Sequence, residues 1–498
     1  MPAKRSLTLA LALLLVAAIP ARATGFPAIT IVDAINPGGS SFALWNAGRL
    51  GDYLYTQADD GVTGYELWRT NGTTTTPVAN INTNTSGTID SNPTGFTALG
   101  DWLYFAAADA TEGRELWRTN GTTTELFYDI NTTGYGSSDP AGFTVFGDWL
   151  YFSATQGDID RELWRTNGTT TSRFANIRSD SSGSSPYGFT VFGDWLYFQA
   201  NDGSTGMELW RTNGNVTQQF ANIDSYEIDG DSSSPSGFTV FGDWLYFQAN
   251  DGTNGNELWR TNGTTTTEIV ANINVSTGTG SDPSGFTALG DWLYFSAIDS
   301  TTGRELWRTN GTTTARVADI NPGSDLSGAA SSDPDYLTAL GDWLYFQATD
   351  STKGAELWRT NGTSTTRVAD INTTGTDGSF PNGLTVLGSY IYFNANDPAN
   401  DKLWRVSTSG IVESASPAGT NVFFGCMCEH PILTLNGRLF APVTTDATGF
   451  EFAYLDEATF GLPLTNRDGS AWSTTLVILA ALTAAAGLTV RMREVKRT

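Results

Sequence analysis

The heptapeptide Glu-Leu-Trp-Arg-Thr-Asn-Gly recurs seven times in this chain, with its Trp at positions 68, 117, 164, 210, 259, 307 and 358. A worn eighth copy, Lys402-Leu403-Trp404-Arg405, follows, and the spacings between successive Trp residues are 49, 47, 46, 49, 48, 51 and 46. Self-similarity at such a period means one supersecondary unit per repeat, each burying its apolar face only against its neighbours.

Within a period the order of segments is fixed. Gly188-Phe189-Thr190-Val191-Phe192-Gly193 leads into Asp194-Trp195-Leu196-Tyr197-Phe198, then a turn at Asn201-Asp202-Gly203. Next come Glu208-Leu209-Trp210-Arg211, a turn at Asn213-Gly214, and Gln219-Phe220-Ala221-Asn222-Ile223. Each segment is short, aromatic or β-branched, and bounded by Gly, Asn, Asp or Pro, which marks strands rather than helices. Thr-Asn-Gly-Thr is the signal of a two-residue hairpin, Asn-Gly tolerating the positive φ of a type I′ turn. Four strands in about 48 residues predict an all-β chain, a single large β-propeller of eight or nine four-stranded blades.

The ends of the array point to ring closure. Ile29-Thr30-Ile31-Val32-Asp33 reads as a fourth strand with no first three before it, whereas Ile432 to Leu455 holds three strands with no fourth after them. Joining the two completes a composite blade and removes an open sheet edge. Period two sets Glu208 and Trp210 on one face and Leu209 and Arg211 on the other. Trp195, Tyr197 and Trp210 are the large flat side chains that packing between blades requires, and an acid–Arg pairing among Asp194, Glu208 and Arg211 is expected at the strand ends.

Residues 1–23 have the basic start (Lys4, Arg5), apolar run and Ala21-Arg22-Ala23 cleavage site of a signal peptide. The propeller is expected over 24–460 and a linker over 461–472. Residues 473–490 have the length and lack of charge of a transmembrane helix, followed by a basic cytoplasmic tail, 491–498, with Arg491, Arg493, Lys496 and Arg497. The chain carries 27 Lys+Arg and 52 Asp+Glu, a formal charge of −25; removing +3 at each end leaves −31 for residues 24–490. That sign excludes nucleic acid as a partner. The expected partners are the membrane, through 473–490, and an extracellular protein or glycan.

Four places hold residues able to do chemistry. Cys426, Cys428 and His430 share one face of an extended strand, an arrangement for a soft metal; a local Cys426–Cys428 disulfide is the alternative. The Asp-rich turns Asp59-Asp60-Gly61, Asn201-Asp202-Gly203 and Asn250-Asp251-Gly252, with the loop Asp224 to Asp231 (Glu227, Asp229), cluster oxygens as Ca²⁺ sites do, although turn capping also uses them. Asn71, Asn120, Asn131, Asn167, Asn262, Asn310 and Asn361 open glycosylation sequons, although the hairpin's own need for Asn-Gly before Thr accounts for most of them. Leu462-Pro463-Leu464-Thr465-Asn466, an apolar stretch and a basic tail together resemble the cell-wall sorting signal that sortases cut, with Asn466 where that signal has Gly.

Over residues 42–404 the repeat resembles the Glu-Leu-Trp-x-Thr-Asp-Gly-Thr repeat of secreted bacterial proteins, often labelled hyalin-like, with Asn for Asp in every full copy. The resemblance implies an extracellular propeller and brings no reaction or ligand with it. One His and two Cys leave little for general-base chemistry. The expectation is therefore an exported, membrane-anchored surface module for binding or structure, not an enzyme. The rival readings are a carbohydrate-active hydrolase or lyase with an acidic site in the central channel, and a metal-binding surface protein.

Overall fold

The fold follows from what each repeat position buries. The computed structural model describes residues 30–33, 35, 42–84, 90–133, 136–157, 159–180, 182–224, 232–276, 278–325, 328–398, 400–415, 433–435, 438–445 and 449–456. Eight four-stranded antiparallel sheets, here blades 1–8, are each built from consecutive strands between residues 42 and 414. In blade 4 the strands are Tyr187–Phe192, Trp195–Asn201, Met207–Thr212 and Thr217–Ala221. A ninth sheet sets Leu433–Leu435, Arg438–Thr445 and Gly449–Asp456 side by side and adds Thr30–Asp33 at its edge, with Thr30 opposite Tyr454. The N-terminal segment is thus the fourth strand of the composite blade. First strands of successive blades neighbour one another from blade 1 to blade 8, and the ninth sheet packs on the first strand of blade 1. This is propeller architecture, with one addition the repeat did not foretell, a small hairpin of Ser324–Asp325 and Gly328–Ala329.

Alternation decides which neighbour each side chain meets. Leu196, Phe198, Ala200 and Trp210 of blade 4 face back onto Tyr151 and Leu163 of blade 3. Tyr197, Leu209 and Ile223 face forward onto Leu245, Phe247 and Ala249 of blade 5. Leu196, Tyr197, Phe198 and Leu209 are all fully buried, and each such side chain stabilises the fold by about 1.5–3 kcal/mol.

Charges are satisfied otherwise than expected. Arg211 does not pair with Asp194, which is exposed, or with Glu208. Its guanidinium lies 3.9 Å from the Trp195 ring centre and 4.1 Å from that of Phe220, and donates to the Gly263 carbonyl of the next blade at 2.6 Å. Arg69, Arg118, Arg165 and Arg260 reach Gly121, Gly168, Gly214 and Gly311 in the same way. Trp195 therefore carries the Arg, while Tyr197 and Trp210 fill the interface. The stack suits a planar guanidinium, and two of these arginines add a carboxylate from the fourth strand, Arg118 with Glu125 and Arg260 with Glu268, each at 2.6 Å.

Glu208 instead fixes the link to the next blade. Its carboxylate accepts the Ile223 N–H at 2.8 Å, the Ser233 N–H at 3.0 Å and the Ser233 hydroxyl at 2.6 Å. Glu66, Glu115, Glu162, Glu257, Glu305 and Glu356 repeat this, all buried. The residue after each such Ser, from Asn92 and Asp139 to Phe380, is left-handed, φ 44° to 48°, and precedes a Pro. Such a conformation costs on the order of 1–3 kcal/mol and persists because its surroundings hold it.

The Asn-Gly turns are also corrected. Only the Gly is left-handed, φ 86° at Gly72, Gly121 and Gly168, so Gly-Thr and not Asn-Gly forms the turn centre. Asn71 caps the turn, its Oδ1 accepting the N–H groups of Thr73 and Thr74. Gly is required twice over, since a Cβ at Gly121 would lie 2.5 Å from the Tyr55 hydroxyl. Among the described residues no helix is long and apolar enough to cross a membrane. Residues 1–23 and 461–498, to which the signal peptide, linker, anchor and tail were assigned, lie outside them.

Candidate functional site

Each first strand of blades 2–8 is broken by a bulge two residues after it begins. In blade 4 the register jumps between Tyr187, opposite Gln199, and Thr190, opposite Tyr197. The glycine there is left-handed, with φ 76° at Gly95 and Gly188 and 69° at Gly142, Gly237 and Gly285. A bulge bends its strand and re-aims the following side chain, here a Phe. Phe96, Phe143, Phe189, Phe238 and Phe286 each stack on a Phe of their own second strand, with ring centres 5.3–5.7 Å apart. Each also covers the glycine of the preceding blade where that blade has one. A Cβ on Gly142 would stand 3.0 Å from Phe189, and one on Gly95 would stand 2.7 Å from Phe143.

These Gly-Phe-Thr segments from blades 2–6 line a cavity of about 640 Å³, within the range of small-molecule sites. Tyr187 and Ser236 complete the lining, and none of the lining residues carries a charge. Thr97, Thr144, Thr190 and Thr239 donate their hydroxyl hydrogens to the glycine carbonyl two residues back, at 3.1–3.4 Å, which leaves their oxygens to act as acceptors. The acidic channel site of the hydrolase reading is therefore not found in this cavity. Sequence reasoning treated Gly-Phe-Thr as an ordinary strand. The available signal was a glycine at the same place inside the first strand of most copies, where strands ordinarily avoid it.

The Asp-rich turns are occupied by their own backbone. Asp60 Oδ1 accepts the N–H groups of Val62 and Thr63, and Asp202 Oδ1 those of Ser204 and Thr205. Burial works to raise both carboxyls, but these donors prevail and hold them below the usual range. Asp224 is buried, and the rest of its loop to Asp231 lies outside the described residues. Among the described residues no group of three His, Cys, Asp or Glu is placed to hold a metal ion. Cys426, Cys428 and His430, like Leu462, Pro463 and Thr465, lie outside them.

No family model and no curated protein matches the chain. Among solved structures it is similar to a puromycin hydrolase, at 13% identity and a TM-score of 0.35, over 72% of this chain and 58% of that one. It is similar also to a chain from a study of two prolyl endopeptidases, at 12% and 0.37, over 71% and 54%. A third is the GH74 xyloglucanase from Xanthomonas campestris, at 14% and 0.35, over 86% and 75%. The chain thus spans little more than half the length of the first two. These neighbours are enzymes, and the expectation of a chain without catalysis is corrected accordingly: a scarcity of His does not exclude a reaction, since carboxylate chemistry needs none.

Proposed function

We propose that this chain is an exported propeller, held at a membrane by residues 473–490, that binds an uncharged extracellular ligand in the cavity on its inner strands. The observation that carries the reading is the cavity itself, about 640 Å³ of aromatic and hydroxyl lining. An uncharged lining inside a body of charge −31 selects against anions, which the surrounding field repels, and gives a cation no carboxylate in the lining to pair with. The signal-like start and the apolar segment with its basic flank support the location.

The test uses the full-length chain in detergent on a combined glycan and protein array. Ser236→Trp fills the cavity from its wall. Binding to a defined set of targets that this variant loses, with unfolding unchanged, is the expected result. Identical array profiles for the two proteins would overturn the assignment of the cavity.

A further inference from the structure

The cavity wall is not uniform, and its one irregularity has a chemical meaning. The left-handed bulge residue is Gly in blades 2–6 and 8 and Tyr336 in blade 7, and the residue after it is Phe in blades 2–6 but Leu337 in blade 7 and Leu384 in blade 8. The residue before that glycine varies freely, being Thr94, Ala141, Tyr187, Ser236 and Ser284 in blades 2–6. Four of these are small. Tyr187 is aromatic and 63% exposed, yet it lines the cavity. The blade does not need it there, because Ala141 and Ser236 hold the equivalent register in the neighbouring blades. A rigid ring with a polar tip, exposed beside a pocket, is a contact surface obtained at small cost in conformational freedom.

The remaining lining narrows the class of ligand. Threonine oxygens whose hydrogens are already committed call for O–H or N–H donors. Half-buried Phe rings call for apolar faces, and the absence of charged lining calls for neutrality. A molecule with many hydroxyl donors, flat C–H faces and no charge is a neutral saccharide. The wall also holds the hydroxyls of Tyr187 and of Ser236, whose oxygen accepts from Gln248; groups that both give and take hydrogen bonds match sugar hydroxyls better than peptide amides, whose donor and acceptor are separate and fixed.

We infer that Tyr187 is the stacking platform for a neutral oligosaccharide in this cavity, an inference that rests on the cavity being the binding site. The full-length chain in detergent is titrated by calorimetry with neutral glucan, mannan and xylan hexasaccharides, a hexauronate, and an uncharged proline-rich decapeptide. At least one neutral hexasaccharide binds. Tyr187→Ala weakens it about tenfold, as loss of one aromatic stack does, while Tyr187→Phe stays within about threefold. Circular dichroism and the unfolding midpoint stay as in the parent, because the side chain is exposed. Failure of every neutral hexasaccharide to bind overturns the inference, as does an equal loss in the Phe and Ala variants. Binding of the peptide alone, abolished by Ser236→Trp, overturns the saccharide and leaves the cavity reading standing. Saccharide binding that survives Ser236→Trp overturns the cavity reading as well.

Discussion

Trp210 offers a quantitative test of how the blades are held. Its indole is 9% exposed and packs on Tyr151 and Leu163 of the preceding blade. Its ring N–H is buried with no acceptor, and the same holds for Trp68, Trp117, Trp164, Trp259, Trp307, Trp358 and Trp404. Trp210→Ala removes the whole ring and should cost about 3–5 kcal/mol. Trp210→Phe leaves a void of roughly 40 Å³, which at about 24 cal/mol per Å³ costs about 1 kcal/mol. Against that, the variant no longer buries an N–H without a partner, a penalty of about 1–3 kcal/mol. The Phe variant should therefore lie between the parent's stability and about 2 kcal/mol above it, while Ala is severely destabilised. Denaturant unfolding followed by far-UV circular dichroism measures both, with hydrogen exchange across Trp195–Asn201 localising the effect. A Phe variant as unstable as the Ala variant would refute the reasoning, by showing that the N–H is bonded in solution.

Arg211→Ala should cost about 2–4 kcal/mol and Arg211→Lys about 1–2, since Lys keeps the charge but loses the stack and fork; unfolding midpoints within 0.5 kcal/mol of the parent would dismiss the Arg–Gly link. Burial pushes the Glu66 and Glu305 carboxyls from an ordinary 4.5 up to about 7, against the pull of Ser91 on Glu66 and of the Ile320 N–H and Ser332 on Glu305. The folded chain then holds protons that the unfolded chain releases, so this contribution to stability is complete below about pH 4.5 and lost as pH rises through 7. The unfolding midpoint should be higher at pH 6 than at pH 8, Glu305→Gln should reduce the difference, and a flat profile would contradict the assignment. Deleting residues 24–40 removes the edge strand of the ninth sheet and should lower the unfolding midpoint of the whole chain; unchanged unfolding would sink the closure argument. Mass spectrometry of C-terminal peptides from native membranes should find residues 473–498 retained, whereas a peptide stopping at Thr465 would make Leu462, Pro463 and Thr465 a processed sorting motif.

Legibility of the fold and of the site differed for a physical reason. Strand number, alternation and the composite blade could be read because a repeated segment has one role, and Leu209 beside Trp210 can alternate in only one way. Partners could not be read where they lie a blade away: Arg211 meets Gly263, 52 residues on, and Glu208 meets Ser233 across a connector of variable length. The turn failed because Asn-Gly has two uses, and Asn71 serves as a cap rather than as a left-handed corner. The cavity was hidden because Phe189 has the composition of core and acquires its role from a bulge, which pattern alone does not display.

The link from each Arg to the glycine of the following blade has an evolutionary corollary. From Trp102 to Trp117, and likewise from Trp149 to Trp164, Trp195 to Trp210 and Trp244 to Trp259, the distance is fifteen residues, and the variation in repeat length falls outside that stretch. Five of the six joints between full repeats use the same donor and the same receiving carbonyl. Duplicating or excising one whole repeat leaves each surviving joint chemically identical, and alters only the circumference. Gain or loss of a whole repeat by unequal crossing-over would thus reuse a joint the chain already has, and would change the number of blades rather than the chemistry between them.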